Sequence, residues 1–342
     1  MGIRAGLEER DVWADRLQRR AFELLWLALT LSVLGRGWLH FTKDSPYWNL
    51  FWSEELVSPL LGLLGVEWSS YVESATVEAT LNSISMGMGA LYIALGVLTA
   101  KASAELIHTG ELPLRSPLLQ RSLWLLLGLQ LVYVSTYWLG KSLYLPIWLE
   151  QSTLTALPWL CLSTGLRDQD QSRAQSTDDL YLSRAPITVT RVALSCTFIG
   201  HGTFALGLYP VPEDYLVMVM RTFGCSQQGA QTMLWWAGAL DVLAAIAVWT
   251  PRKYLRVRWV ALAYMLAWGA ITACARVVGH WGLGTFTDTI WYWFPELMLR
   301  LPHALIPWWL LTLEGGVRPD WRGRPRPPSR FNEEAPDERT DP

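Results

Sequence analysis

Eight stretches of about twenty mostly apolar residues, 21–41, 80–100, 121–140, 145–165, 187–209, 231–250, 258–278 and 293–313, run along the chain. Each is long enough to cross the roughly 30 Å hydrocarbon core of a bilayer as a helix. Lipid offers the backbone no hydrogen-bond partners, so segments of this kind satisfy their amides internally as helices and pack side by side. The pattern predicts an all-α fold, a polytopic membrane helical bundle of about eight transmembrane helices. Composition agrees: of 342 residues 51% are hydrophobic and 17% charged, against roughly 25% charged in soluble domains. Residues 1–20, 166–191 and 314–342 hold 9, 8 and 13 of the 58 charged side chains, which leaves 28 for the other 267 residues. Such a body cannot present a charged surface to water. That sets aside a cytosolic enzyme of ordinary composition, a secreted disulfide scaffold and a disordered chain.

The net charge of −2 gives no ground for a nucleic-acid partner. The 21 Trp suit the membrane interface, where an apolar ring with one polar edge is at home. The four Cys form no C-x-x-C pair, so neither a disulfide framework nor a metal site is expected. The basic residues set the orientation. The head, 101–121, 166–191, 251–258 and the tail hold 22 Lys and Arg, whereas the opposite loops hold Lys43, Lys141 and Arg221. By the positive-inside rule both termini are cytoplasmic, and the chain is read as a multi-pass protein of the bacterial inner membrane. The first apolar stretch follows the charged head but no small-residue cleavage site follows it, so it is read as a retained helix.

The chain divides into a cytoplasmic head (1–20), a first four-helix unit (21–165) with an outer loop (42–79), a cytoplasmic linker (166–186), a second four-helix unit (187–313) and a disordered tail (314–342). In the outer loop Trp48, Trp52, Leu56 and Leu60 fall at helical spacing with Glu54 and Glu55 between them, which predicts a short helix in the interface or packed on the bundle. An internal repeat supports the two units. At an offset of 149, Gly89-Ala90-Leu91 matches Gly238-Ala239-Leu240, Pro146 matches Pro295, and Pro158-Trp159 matches Pro307-Trp308. Gly35-Arg36-Gly37 resembles Gly200-His201-Gly202 at another offset, because the outer loops differ in length. Four spans per unit bring the second unit into the membrane from the same side as the first, so the repeat is parallel.

Ionisable groups inside spans are costly and mark function by default. Here they are Arg36, His40, His201, Asp241, Arg276, Glu296, Arg300 and His303, and most fall toward the outer half of the membrane. One outward-opening polar cavity, chiefly in the second unit, accommodates them. Glu296, Arg300 and His303 are spaced i, i+4, i+7, on one face of the eighth helix. Asp241 has Tyr92 as its repeat equivalent; it serves either a catalytic or ligand-binding role or a helix-packing pair with Arg276 or Arg300. His201, between two glycines, either borders a pocket or makes an interhelical hydrogen bond. A haem held by His201 and His303 lacks a second supporting pair. His108 and His280 fall in loops, where solvated roles are expected. No phosphate loop, H-E-x-x-H or G-x-S-x-G motif occurs.

The runs Arg191–Gly202 (RVALSCTFIGHG), Ala239–Ala245 (ALDVLAA) and Trp268–Arg276 (WGAITACAR) are similar to the four-helix DoxX-like membrane family. In that family a glycine-rich first helix, an acid on the second and an Ala/Arg-ended third recur. Gly200, His201, Gly202, Asp241 and Arg276 are the residues that correspond. The run Phe51–Pro59 is similar, more distantly, to membrane domains of the vitamin K-dependent carboxylase type. The resemblance implies a four-helix unit, here doubled, and a link in some members to quinone-coupled oxidation of small sulfur compounds. This chain has neither a soluble redox domain nor a cysteine that reads as reactive. The residues therefore leave three readings open. One is an accessory or ligand-binding membrane subunit, acting with other membrane or periplasmic subunits and associated with quinone-linked redox chemistry, in which Asp241 and His201 position a small ligand or headgroup. The second is a small-solute or proton-coupled transporter. The third is a membrane enzyme working at the outer surface, with Glu54 or Glu55 involved. The ligand candidates are His201, Asp241, Arg276, Glu296, Arg300, His303 and Arg36.

Overall fold

The computed structural model describes residues 2–43, 46–110, 114, 116–171, 184–282 and 284–315, with side chains placed from 19 to 164 and from 185 to 314 apart from short gaps. Most of the expected linker 166–186 and nearly all of the expected tail 314–342 lie outside the described residues, as do the side chains of residues 1–18 of the head. The described chain is a bundle of α-helices without strands. The first half comprises α1 (Gly2–Thr42), α2 (Pro46–Phe51), α3 (Glu54–Leu63), α4 (Trp68–Val72), α5 (Ala75–Thr109), α6 (Pro117–Leu139), α7 (Leu145–Glu150) and α8 (Ser152–Gln171). The second comprises α9 (Arg184–Ala205), α10 (Glu213–Phe223), α11 (Gln227–Ala247), α12 (Leu255–Val278), α13 (Phe286–Arg300) and α14 (Pro302–Gly315).

Among the described residues, five segments are long and apolar enough to cross a bilayer: Arg19–Thr42 of α1, α5, α6, α11, and Arg252–Val278 including α12. The chain is a multi-pass membrane protein. The remaining three expected spans are helices that fall short of that measure for physical reasons. Span 187–209 is α9, which carries Arg191, His201 and several Thr and Ser, and it ends at Ala205 ahead of Gly207 at φ +76°. Spans 145–165 and 293–313 are each interrupted in the middle, at Gln151 and at Leu301. The interruptions fall within one residue of a shared register: Gln151 and Leu301 are 150 apart, and Thr153 and Pro302 beside them are 149 apart. Pro302 has no N–H to continue the ladder. The N–H of Thr153 is instead donated to Thr197 Oγ1 of α9, at 3.1 Å. Two different devices thus break the helix at equivalent points.

The outer loop also differs from expectation. Trp48 lies on α2 and Leu56 and Leu60 on α3, and between them Ser53, extended at φ −87° and ψ 107°, separates the two helices. A serine followed by two glutamates is a helix start, and it overrides the continuous apolar spacing. Leu60, Leu63 and Leu64 are exposed there.

Helices α5, α6, α11 and α12 carry exposed apolar side chains outward, among them Val97, Trp124, Trp236 and Val260, as lipid contact requires. Inside, one apolar core drawn from both halves includes Trp26, Leu29, Leu123, Leu157, Ile306 and Trp309. Lipid is as apolar as leucine, so these helices associate through close packing at small residues more than through a hydrophobic drive. Two glycines show how. A methyl on Gly35 of α1 would stand 2.8 Å from Pro295 O and 2.9 Å from Leu299 N of α13; one on Gly200 of α9 would stand 2.9 Å from Pro146 O and 2.7 Å from Glu150 N of α7. Pro146 and Glu150 are 149 residues before Pro295 and Leu299. The first long helix of each half therefore docks on the short helix of the other half. Within each half the same correspondence holds, Gly37 against Ile93 and Gly202 against Val242.

A candidate ligand pocket in the second half

His201 stands at the centre of the site because Gly200 and Gly202 let α7 and α11 approach the α9 backbone on either side of it. Its Nδ1 lies 2.8 Å from Glu150 Oε1 and 3.0 Å from the Tyr215 hydroxyl, and that hydroxyl donates to Glu150 at 2.5 Å. On the other side of the ring Arg300 Nη1 approaches Nε2 at 3.4 Å. With an acceptor facing Nδ1 and a donor facing Nε2, the network assigns the proton to Nδ1. His303 sits edge-on to His201, with ring centroids 5.6 Å apart.

Beside this polar group lies a cavity of about 800 Å³, counting the space open at its mouth. Its walls are mainly apolar: Phe198 of α9, Met218 and Phe223 of α10, Leu234 of α11, and Trp268 and Ile271 of α12. Polar groups at its boundary include His201, Tyr215, Asp241, Arg276, Arg300 and His303. Two of their atoms, His303 Nε2 and Arg300 Nε, are buried without a hydrogen-bond partner. An apolar chamber with unsatisfied polar atoms at its boundary is the usual form of a small-molecule site.

Five of the seven sequence candidates therefore meet at one cavity. Asp241 is 2% exposed and accepts a hydrogen bond from the Tyr264 hydroxyl at 2.8 Å. Among the described residues it makes no ion pair, so the alternative of a packing pair with Arg276 or Arg300 gives way to a phenol one helix along. The guanidinium of Arg276 lies 5.9 Å from the Tyr215 ring centre. Glu296 stands apart from the cavity lining and pairs with Lys43 Nζ at 3.0 Å. It does not share a helix with His303, because the break at Leu301 puts His303 on α14. Arg36 lies in the first half, hydrogen-bonded to Gln151. His280 is buried rather than solvated: its ring stacks on Trp293 at 3.3 Å between centres, and its Nδ1 bonds the Arg276 carbonyl at 2.8 Å.

Glu150 and Tyr215 are the residues that sequence reasoning missed. Glu150 lies within the expected span 145–165, four residues after Pro146, and an acid in that setting was signal enough. Tyr215 comes from a loop helix, and nothing in its spacing announces that α10 folds back over the site. Both ring nitrogens of His201 are engaged, by Glu150 and Arg300, which leaves no free lone pair for a haem iron. Among the described residues no three His, Cys, Asp or Glu side chains converge as metal ligands.

Residues 195–281, which carry His201, Asp241 and Arg276, match the DoxX-like family. The match does not reach the run 51–59. No curated protein and no solved structure matches the chain.

Proposed function

From the DoxX-like stretch and the cavity it lines, we propose that the chain is a ligand-binding subunit of the bacterial inner membrane, with both termini cytoplasmic. In this reading two copies of a four-helix unit form the bundle and the second copy holds the working pocket. The ligand is an amphipathic molecule with a hydrogen-bonding head and an apolar body. The observation that carries this is the convergence of His201, Asp241, Arg276, Arg300 and His303 on a mainly apolar chamber, with His303 Nε2 and Arg300 Nε buried and unpartnered. A quinone fits that donor set. One ring oxygen accepts from Arg300, and in the quinol form a ring hydroxyl donates to His303 Nε2, while the isoprenoid tail lies along Phe198, Trp268 and Ile271. When bound, a quinone would supply two-electron redox capacity to partner subunits in the membrane or periplasm. This chain's own part is to bind and orient the ring and keep water from it.

The test is the content of the protein as purified in mild detergent, read by mass spectrometry of the retained lipids. A quinone or another amphipathic molecule should be retained, and Asp241→Asn and His201→Ala should each lower its occupancy. Equal retention by both variants and the parent overturns the assignment of the site.

The helices interrupted at Gln151 and Leu301 favour a second reading, transport, since broken helices commonly frame transporter sites. Cysteines placed beside Asp241 and labelled from each face decide between them. Labelling from one face alone removes transport.

A further inference from the structure

The first half buries a polar cluster that the pocket does not use. Its centre is Arg36 on α1, 1% exposed. The Nη2 of Arg36 donates to Gln151 Oε1 at 2.8 Å, and the guanidinium lies 3.6 Å from the centre of the Tyr133 ring. Its Nε has no partner, and among the described residues Arg36 makes no ion pair. His40 packs within 6.0 Å, ring centre to ring centre, of Tyr47, Tyr92 and Tyr133. The hydroxyls of Tyr47 and Tyr92 and the Nε2 of His40 are all buried and unpartnered.

A guanidinium cannot shed its proton, and burying it without a counter-charge costs several kcal/mol. The two halves show why the counter-charge is missing. Arg36 occupies the place of His201, and Gln151 that of Arg300, so the Arg36–Gln151 bond is the equivalent of the Arg300–His201 contact. The acids near His201 and Arg300 are Glu150 and Glu296, and their equivalents are Leu299 and Ile147. Glu150 itself, next to Gln151 in the chain, turns to His201 and Tyr215. The Arg36 site has kept the cation and meets apolar residues, Leu299 and Ile147, at the places where the His201 site has the carboxylates Glu150 and Glu296.

The donors left over are Arg36 Nε–H and the hydroxyls of Tyr47 and Tyr92. The Nδ1 of His40 donates to the Arg36 carbonyl at 2.8 Å, so its Nε2 can accept from a protonated oxygen. One cation, two hydroxyl donors and one acceptor complement a tetrahedral oxyanion. Water could fill the hydrogen bonds but not the charge. We propose that the Arg36 cluster is a second binding site, for a phosphate-type oxyanion, separate from the pocket of the second half and covered by Tyr47 of α2. Inorganic phosphate and the phosphate of a lipid headgroup share this chemistry.

The experiment uses the full chain in detergent, with two arms. Inorganic phosphate is titrated while the melting temperature is followed, and phospholipid retained through purification is measured by native mass spectrometry. A saturable rise in melting temperature assigns the free anion; one retained phospholipid per chain assigns the headgroup. In either case Arg36→Gln should abolish the effect. The paired Tyr47→Phe and Tyr92→Phe substitutions, which keep the rings and hence the packing, should weaken it about tenfold or more through the loss of two hydrogen bonds to a charged group. Asp241→Asn should leave it unchanged, which separates failure here from failure of the second-half pocket. If no effect is seen in either arm, or if it persists undiminished in the tyrosine pair, the proposal is overturned.

Discussion

The two halves of the bundle share a packing scheme and differ in what they bury. Gly35 and Gly200 make the same backbone contacts across the molecule, and Thr153 and Pro302 interrupt their helices at the same register. On that common frame the second half carries His201, Asp241, Arg300 and His303, where the first has Arg36, Tyr92, Gln151 and Leu154. Backbone geometry is preserved while side-chain chemistry is free to diverge, because the close contacts run through glycines and main-chain atoms. The halves thus differ in buried chemistry through a few substitutions at fixed places.

The largest test of that contrast is Glu150→Leu, which gives the second-half site the apolar residue found at the equivalent place, Leu299. Glu150 is buried and is the acid hydrogen-bonded to His201 and Tyr215. Removing one partner of a buried charged network costs about 3–5 kcal/mol, since the groups left behind remain buried. The melting temperature of the purified protein should fall steeply, and the loss of Glu150 should also lower ligand retention. A variant as stable as the parent would show that Glu150 does not hold the network together.

The reciprocal substitution is Leu299→Glu, which offers Arg36 the carboxylate that its site lacks. A lone carboxylate buried at that depth is strongly destabilising, but beside Arg36 most of the cost should be recovered. The prediction is a favourable coupling of about 1–3 kcal/mol between Leu299→Glu and Arg36, measured as a double-mutant cycle with Arg36→Leu. The phosphate response should disappear in Leu299→Glu with Arg36 present, because the internal acid takes the place of the oxyanion. A coupling near zero would mean that the two positions are not neighbours in the way the repeat implies.

Much of this frame is readable in the chain. Apolar stretches of bilayer length announce helices, and the proline and glycine matches at an offset of 149 announce equivalent positions. What no pattern announces is the partner of each helix. A glycine flanking Arg36 signals close approach, yet nothing local says that the approaching backbone is α13, from the other half. The same gap explains the site. An acid on α11 and an arginine on α12 invite pairing, but the side chain that reaches Asp241 is Tyr264, chosen by helix rotation in the assembled bundle. The face expected to unite Glu296 with His303 assumed an unbroken helix, although Pro302 between them was a visible warning. Tyr215 is hidden more deeply, since its role depends on how a loop helix folds back.

The smallest effect expected lies where the two short helices begin. α13 starts with Thr285 as its cap: the Thr285 hydroxyl accepts from the Asp288 amide at 3.1 Å, and the Asp288 carboxylate accepts from the Thr285 amide at 2.9 Å. α7 starts at Tyr144 with no side-chain cap. The reciprocal bonds satisfy amides that a helix start leaves open. Hydrogen bonds from the side chain and then the backbone of Thr285 hold the Asp288 carboxyl below its ordinary range. A carboxyl depressed in the folded state stabilises above its unfolded value, near 3.9, and that contribution fades as the pH falls through the folded value. Asp288→Ala should therefore melt slightly below the parent at neutral pH, and the difference should shrink toward zero as the pH drops below about 4. No such acid-dependent difference should follow from Tyr144→Ala, because the start of α7 has no side-chain cap. A gap between Asp288→Ala and the parent that stayed constant across the acid range would mean that packing, not the charged cap, sets the start of α13.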